Sequence, residues 1–162
     1  MFKVGDTIAH PMHGAGVISD IEERRINGVV RSYYVMRMPI GDMLVMIPVA
    51  NSADIGVREI ISEEQADDLL AKIVTLETNM TQNWNRRYRE NMLRIKSGDL
   101  VEVARVVKGL VERDIERGLS TGERSMLHSA KQILISELVL AKHSTYEEIE
   151  KKINGILLPA KT

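Results

Sequence analysis

The chain has 162 residues, 44% of them hydrophobic, and its 22 basic and 23 acidic side chains give a net charge of −1. That length supplies a core for one domain or two small ones, and the balanced charge means that any affinity for nucleic acid must come from local clusters. Cysteine is absent, so disulfides and thiolate chemistry are excluded. Because no apolar run approaches the roughly 20 residues that span a membrane and no signal peptide is evident, we expect a cytoplasmic protein.

The first sixty residues predict short antiparallel strands. Val29–Met38 is rich in Val, Tyr and Met, and the segment from Gly16 to Ile26 before it is also suited to a strand. Asn27 and Gly28, which separate them, are the strongest short signal for a hairpin because both tolerate positive φ in a type I′ turn. These segments predict a β hairpin.

Further turns divide the rest of this region. Gly41-Asp42 precedes a strand at Met43–Pro48, and we interpret Gly14-Ala-Gly16 as a plain turn between strands. Short strands joined by tight turns are typical of a small antiparallel barrel or curled sheet. We assign this all-β domain to residues 1–58.

From residue 62 onward the apolar spacing becomes helical. Three pairs have the spacing of a capping box, in which an N-cap hydroxyl and a side chain three residues later each accept a bond from the other's backbone N–H: Ser62 with Gln65, Ser120 with Glu123, and Ser144 with Glu147. Two more helices are predicted over about residues 84–96 and 99–117, with a loop at 75–82. The fold prediction is therefore α+β and multidomain, with an all-α domain of about five helices at residues 62–158.

The densest basic cluster surrounds the one tryptophan of the chain. Trp84 is followed by Arg86, Arg87 and Arg89, and residues 84–96 hold five basic side chains against one acidic side chain. Residues 61–80 hold five acidic side chains against one basic, so the two segments could pair with each other. Helical geometry puts Arg86 and Arg89 on one face and Arg87 about 100° round from Arg86, so one acidic helix cannot easily pair with all three. Planar guanidinium groups are also suited to binding phosphate.

Two interpretations of Trp84 fit the sequence equally well. The start of a helix presents outward N–H groups that attract anions, and an indole there could enter the minor groove as a wedge or stacking plate. Alternatively, the indole could plug the junction between the two domains. The sequence alone does not decide between them.

No pattern indicates catalysis. His10 and His13 could supply two metal ligands, but zinc sites use three or four, so we interpret the pair as part of a turn. Phosphate-binding glycine loops and nucleophile motifs are absent from the sequence. We therefore expect no enzyme activity, no cofactor and no metal.

Three motifs together resemble the CarD/CdnL family of bacterial transcription factors. They are F-K-V-G-D-T-I-x-H-P-x-H-G-x-G from Phe2 to Gly16, N-W-N-R-R-Y from Asn83 to Tyr88, and R-D-x-E-R-G-L-S-x-G-E from Arg113 to Glu123. The first motif also resembles the polymerase-interacting module of transcription-repair coupling factors. The other two motifs are specific to CarD-like proteins, and the similarity extends over nearly the whole chain.

The resemblance implies a fold and a function. The β domain would be a Tudor-like barrel that binds the β subunit of RNA polymerase, and the helical domain would contact promoter DNA at the upstream edge of the bubble, as a monomer in the complex. Such a protein would stabilise the open complex; an adaptor that binds polymerase without touching DNA is the alternative. The implied DNA-binding residues are Trp84, Arg86, Arg87, Arg89 and Arg124, and the implied polymerase-binding residues are Arg24, Ile26 and Met46. Some relatives have an arginine at the position of Met46, so more apolar contact is expected here.

Overall fold

The structure, a computed structural model, describes residues 1–159. In chain order its elements are β1 (Thr7–His10), β2 (Gly14–Ile26), β3 (Val29–Arg37), β4 (Leu44–Pro48), α1 (Ser52–Ile55), β5 (Arg58–Glu59), α2 (Glu63–Ile73), α3 (Trp84–Lys96), α4 (Leu100–Arg117), α5 (Thr121–Ala141) and α6 (Tyr146–Leu157). Among residues 1–159, no helix combines the length and the apolar character that crossing a membrane requires. The prediction of an antiparallel β region followed by helices is confirmed.

The five strands form one antiparallel sheet in the order β4-β3-β2-β1-β5. In the turn between β2 and β3, Asn27 has φ of 52° and Gly28 has φ of 79°, so both residues have the positive φ that a type I′ turn requires. The inner face of the sheet buries a small core whose members are Ile8, Ile18, Tyr34, Met36, Met38, Ile47 and Val57. The predicted hairpin is therefore confirmed.

The helices enclose a second and larger core, to which α2 through α6 all contribute. The Ser62 capping box is complete, since Ser62 Oγ accepts from the N–H of Gln65 and the Gln65 side chain accepts from the N–H of Ser62. Because each core draws on its own segment of the chain, the division into residues 1–58 and 62–158 remains our proposal for the two domains.

The other two capping predictions need correction. Ser120 does cap α5 by accepting from the N–H of Glu123, but the Glu123 carboxylate accepts from Arg87 and not from the N–H of Ser120, so the box is incomplete. Helix α6 begins one residue later than the Ser144 spacing predicts. Its N-cap is Thr145, and the Ser144 hydroxyl donates instead to the carboxylate of Glu148.

The start of β2 packs directly on α5, so Gly14-Ala-Gly16 is more than the plain turn that was predicted. Ala15 N–H donates to Ser136 Oγ over 2.9 Å, and Ser136 is fully buried. A Cβ atom on Gly14 would lie 2.5 Å from Ser136 Oγ and 3.2 Å from Ile133 Cα. Only glycine allows the sheet and the helix to approach this closely.

An ion pair reinforces the same junction. Arg58, in β5, donates through both terminal nitrogens to the carboxylate of Glu137 in α5, over 2.7 and 2.9 Å. The same carboxylate accepts from the N–H of Ile61 over 2.9 Å. Glu137 is buried, whereas the Arg58 side chain is 34% exposed, so this charged, two-bonded pair lies at the edge of the interior. The sheet is therefore fixed on α5.

Substitution of Gly14 by alanine is expected to destabilise the protein. Gly14 has φ of +94°, which costs an L-residue about 1–3 kcal/mol, and the clash with Ile133 and Ser136 adds about 1–3 kcal/mol of overpacking. Urea unfolding measures the loss. Gly28→Ala is the matched control, because Gly28 has φ of +79° and nothing within 4 Å of its Cβ position. Equal losses in the two variants would show that close packing at Gly14 contributes nothing.

Candidate nucleic-acid interface

Trp84 lies where the N-termini of α3 and α5 meet. Asn83 caps α3 by accepting from the N–H of Arg86 over 2.9 Å, and Trp84 is the first residue of the helix. Its indole N–H donates to Ser120 Oγ, the N-cap of α5, over 3.0 Å. The ring stacks on Tyr88, with centroids 5.1 Å apart and planes 17° apart. The side chain is nevertheless 41% exposed, so these contacts hold the indole in place while part of its ring remains open to solvent.

These contacts contradict the interpretation of Trp84 as a plug between the domains. The indole stacks on Tyr88, bonds to Ser120 and lies beside Gly122, and all three residues belong to the helical region. The junction with the sheet lies on α5 at residues 133–137. The lone indole is therefore available to a partner of the protein.

Three of the predicted basic residues are exposed on α3 and α5, the two helices that meet at the indole. Arg86 forms a pair with Glu90 one turn further along α3, with 3.1 Å between Arg86 Nε and the carboxylate, and its side chain is 71% exposed. Arg89 is exposed and has no ion-pair partner within residues 1–159. Arg124 is exposed in the first turn of α5, where its Nε donates to the carbonyl of Leu119.

Arg87 requires a correction, because it is only 1% exposed. Its Nε and Nη2 donate to the two carboxylate oxygens of Glu123 over 2.8 and 3.0 Å. Its Nη1 donates to the carbonyls of Thr81 and Gln82. The prediction that Arg87 contacts phosphate is wrong in this structure, because its guanidinium is buried and already bonded within the protein. It joins α3 to α5 and to the preceding loop.

A second arginine faces the same carboxylate. Arg113 Nε, on α4, lies 3.9 Å from a Glu123 oxygen, which is too far for a hydrogen bond. This nitrogen is buried without a partner among the described residues.

The hydrogen bonds from Arg87 hold the pKa of Glu123 below its usual range, against the opposing effect of burial. The contribution of the ionised Glu123 to the stability of the fold is therefore fully present at a pH above the ordinary carboxyl pKa, and it is lost as the pH falls through the lowered pKa.

The acidic segment does not neutralise the basic helix. Within residues 1–159, no ion pair joins residues 61–80 to residues 84–96. Asp67 in α2 pairs instead with Lys142, and Arg94 in α3 pairs with Glu102 in α4. The open alternative of pairing between the two segments is thus contradicted, and the exposed arginines of α3 face solvent.

The strand register places the candidate polymerase-binding residues on one face of the sheet. Val35 in β3 pairs with Asp20 in β2 and with Met46 in β4, and directly paired residues point to the same face. Side chains alternate along β2, so Arg24 and Ile26, four and six residues after Asp20, point to that face too. All three candidates are exposed, and this face is opposite the small core. The Arg24 guanidinium donates to the carboxylate of Glu22 over 3.0 Å.

The histidine pair forms a local turn. His10 Nδ1 accepts from the N–H of Met12 over 3.0 Å, and the rings of His10 and His13 lie 4.5 Å apart. Burial and the neighbouring imidazole lower the pKa of His10. Within residues 1–159, no group of three His, Asp or Glu side chains is arranged to hold a metal ion.

Sequence reasoning missed three members of this region: Tyr88, Ser120 and Arg113. Each lay inside a motif that had been noted, but a motif does not state what its residues contact. Glu123 was predicted to be the capping partner of Ser120, and its bond to Arg87 was not predicted. The relevant signal is the i, i+3 spacing of Trp84 with Arg87 and of Ser120 with Glu123, which puts each pair on one side of its helix.

Comparison with known proteins agrees with this architecture. Residues 2–61 match the family model of the CarD-like/TRCF RID domain, and residues 59–154 match that of the CarD C-terminal domain. A Bacillus subtilis (strain 168) protein named "Putative transcription factor YdeB" is 36% identical over 150 residues, which cover 93% of this chain and 98% of the relative. A Tudor-like RID sheet followed by a CarD helical region defines a class of transcription factor. The chain belongs to the CarD family, and its role is therefore associated with transcription.

Proposed function

We propose that this protein binds the β subunit of bacterial RNA polymerase through its sheet and stabilises the open promoter complex through Trp84. It acts without catalysis, as a monomer in the complex, at the upstream edge of the bubble. One observation carries the proposal: the only indole of the chain is held half-exposed between the N-termini of α3 and α5, and the first two turns of these helices also carry the exposed arginines Arg86, Arg89 and Arg124.

The surroundings of the indole suit a wedge. Its N–H is already bonded to Ser120, so the ring can enter a base step without leaving a polar group unpaired. Stacking on Tyr88 restricts the ring before DNA arrives, which lowers the entropy lost on binding. The binding energy of an inserted ring depends on how easily the base step deforms, and not on hydrogen bonds to particular bases.

The basic residues suit backbone contact. Arginines on phosphate give affinity that depends on salt and not on sequence. With three exposed arginines on α3 and α5 and a net charge of −1, the free protein is expected to bind DNA weakly. Attachment to polymerase would supply the effective concentration that this weak contact needs.

The polymerase contact is assigned to the outer face of the sheet. Arg24 contributes the charge on this face, while Ile26 and Met46 are exposed and apolar. Met46 lies on β4, which forms one edge of the sheet. With methionine where some relatives carry arginine, the contact has one cation fewer, and its affinity should depend less on salt.

Charge reversal at Arg24 is expected to weaken binding to the β subunit by roughly tenfold or more, because like charges then face each other across the contact. Binding is measured by titrating the isolated β-subunit fragment that carries the docking surface. Arg25→Glu is the matched control, since Arg25 is the next residue on the same strand, is exposed, and points to the opposite face. If both variants bind as the wild type does, the contact lies elsewhere on the protein.

The function as a whole is tested by the lifetime of promoter open complexes. With polymerase and a competitor that traps released enzyme, saturating wild-type protein is expected to lengthen this lifetime at promoters whose bubble collapses quickly. An unchanged lifetime, with binding to polymerase demonstrated in the same sample, would contradict stabilisation. That outcome would favour an adaptor that joins polymerase to another protein.

A further inference from the structure

Two parallel bonds join the first turn of α3 to the first turn of α5. Trp84 donates to Ser120, and Arg87, three residues after Trp84, binds Glu123, three residues after Ser120. Residues three apart lie on the same side of a helix, so the two bonds are neighbours one turn apart. Because Ser120 Oγ also accepts from the N–H of Glu123, the two residues of α5 form one unit.

The two bonds differ in strength. The bond from the indole to Ser120 joins neutral groups at the surface and contributes little net stability. The pair between Arg87 and Glu123 is bidentate, charged and buried, and such pairs fix geometry as well as adding energy. The buried pair therefore determines how the two helix ends lie against each other.

We infer that Glu123 is a positioning residue for Trp84. Through Arg87, its carboxylate holds the first turn of α3 on that of α5, and so sets the orientation and the exposed edge of the indole. The consequence for promoter complexes rests on the proposed function, whereas the effect on the indole does not.

The same pair also fixes the loop that leads into α3. Arg87 donates to the carbonyls of Thr81 and Gln82, and Met80 packs so closely on α4 that a Cβ on Gly109 would lie 3.0 Å from its sulfur. Arg113 adds a second cation beside the carboxylate, so the cluster of Arg87, Arg113 and Glu123 has a net positive charge. That charge favours the approach of a phosphate to the adjacent surface.

The fluorescence of Trp84 tests the inference directly, since it is the only tryptophan in the chain. In Glu123→Gln, which keeps the shape but removes the charge, we expect the fluorescence anisotropy of the free protein to fall and quenching by acrylamide to rise. Glu90→Gln is the matched control, because it removes the partner of Arg86 on the surface of the same helix and should leave both signals unchanged. Both variants are compared below their unfolding transitions, with helix content verified by circular dichroism.

The outcomes separate the two proposals. If folded Glu123→Gln keeps wild-type anisotropy and quenching, Glu123 does not position the indole. If both signals change while open-complex lifetimes do not, the positioning role stands and the proposed wedge is wrong. Should Glu123→Gln fail to fold, Arg87→Lys is the alternative variant, because it keeps the positive charge but loses the bidentate hydrogen bond. The same fall in anisotropy and rise in acrylamide quenching are expected from it.

Discussion

Replacement of Arg87 by methionine is expected to lower the free energy of unfolding by about 3–5 kcal/mol, the usual effect of removing one partner from a buried ion pair. The change leaves the buried Glu123 carboxylate with Arg113 as its remaining cation, whose Nε lies 3.9 Å away. It also leaves the carbonyls of Thr81 and Gln82 without their donor. Urea unfolding with an unchanged denaturant slope measures the effect.

Arg86→Met is the control for that measurement. Arg86 is the preceding residue in the same basic cluster, but its pair with Glu90 is on the surface, and such a pair contributes about 0.3–0.5 kcal/mol. Similar losses in the two variants would contradict the different roles assigned to the two arginines. In a variant that combines Arg87→Met with Glu123→Met, part of the lost stability should return, because the buried carboxylate is gone. The return should be incomplete, because Arg113 then loses the carboxylate beside it and the carbonyls of Thr81 and Gln82 still lack their donor.

Trp84→Ala is expected to abolish most of the effect on open complexes. Loss of one base–aromatic stack typically costs about 1–3 kcal/mol, which corresponds to a lifetime shorter by roughly 5- to 150-fold. Trp84→Phe keeps an apolar ring but loses the bond to Ser120, so it should retain part of the effect. The measurement is the decay of open complexes after addition of competitor.

The control for Trp84→Ala removes a comparable apolar side chain from another part of the helical region. Leu158, just after α6, is 48% exposed, and Leu158→Ala should leave the lifetime unchanged. Binding of each variant to polymerase is verified first. A wild-type lifetime with bound, folded Trp84→Ala would show that the indole is not the stabilising element.

Local chemistry made much of the fold predictable. The turn at Asn27 and Gly28 was predictable because few residue pairs tolerate two consecutive positive φ values. The predicted bounds of α3, about residues 84–96, are confirmed: Asn83 caps the helix at one end, and Ser97-Gly98 follows its last turn at the other. In both cases the deciding interaction lies within a few residues of chain.

The partners across the fold could not be predicted in the same way. Helical periodicity gives the angle between Arg86 and Arg87, but not which of them faces the protein interior, because that depends on where α5 lies. Strand alternation likewise puts Met46 on the side of Leu44. Only the pairing of the neighbouring Val45 with Met36 and of Ile47 with Tyr34 shows that the other side of β4 faces the core. The role of Gly14 depends on Ser136, more than a hundred residues away.

The claim that Trp84 lies against promoter DNA has a direct test. A photocrosslinking amino acid introduced at Asn85 leaves the indole intact and places the probe on the next exposed residue of α3. In open complexes containing polymerase, the account predicts a crosslink to promoter DNA at the upstream edge of the bubble, which disappears when the bubble cannot form. Crosslinks to protein alone, in complexes whose lifetime the factor still lengthens, would contradict it.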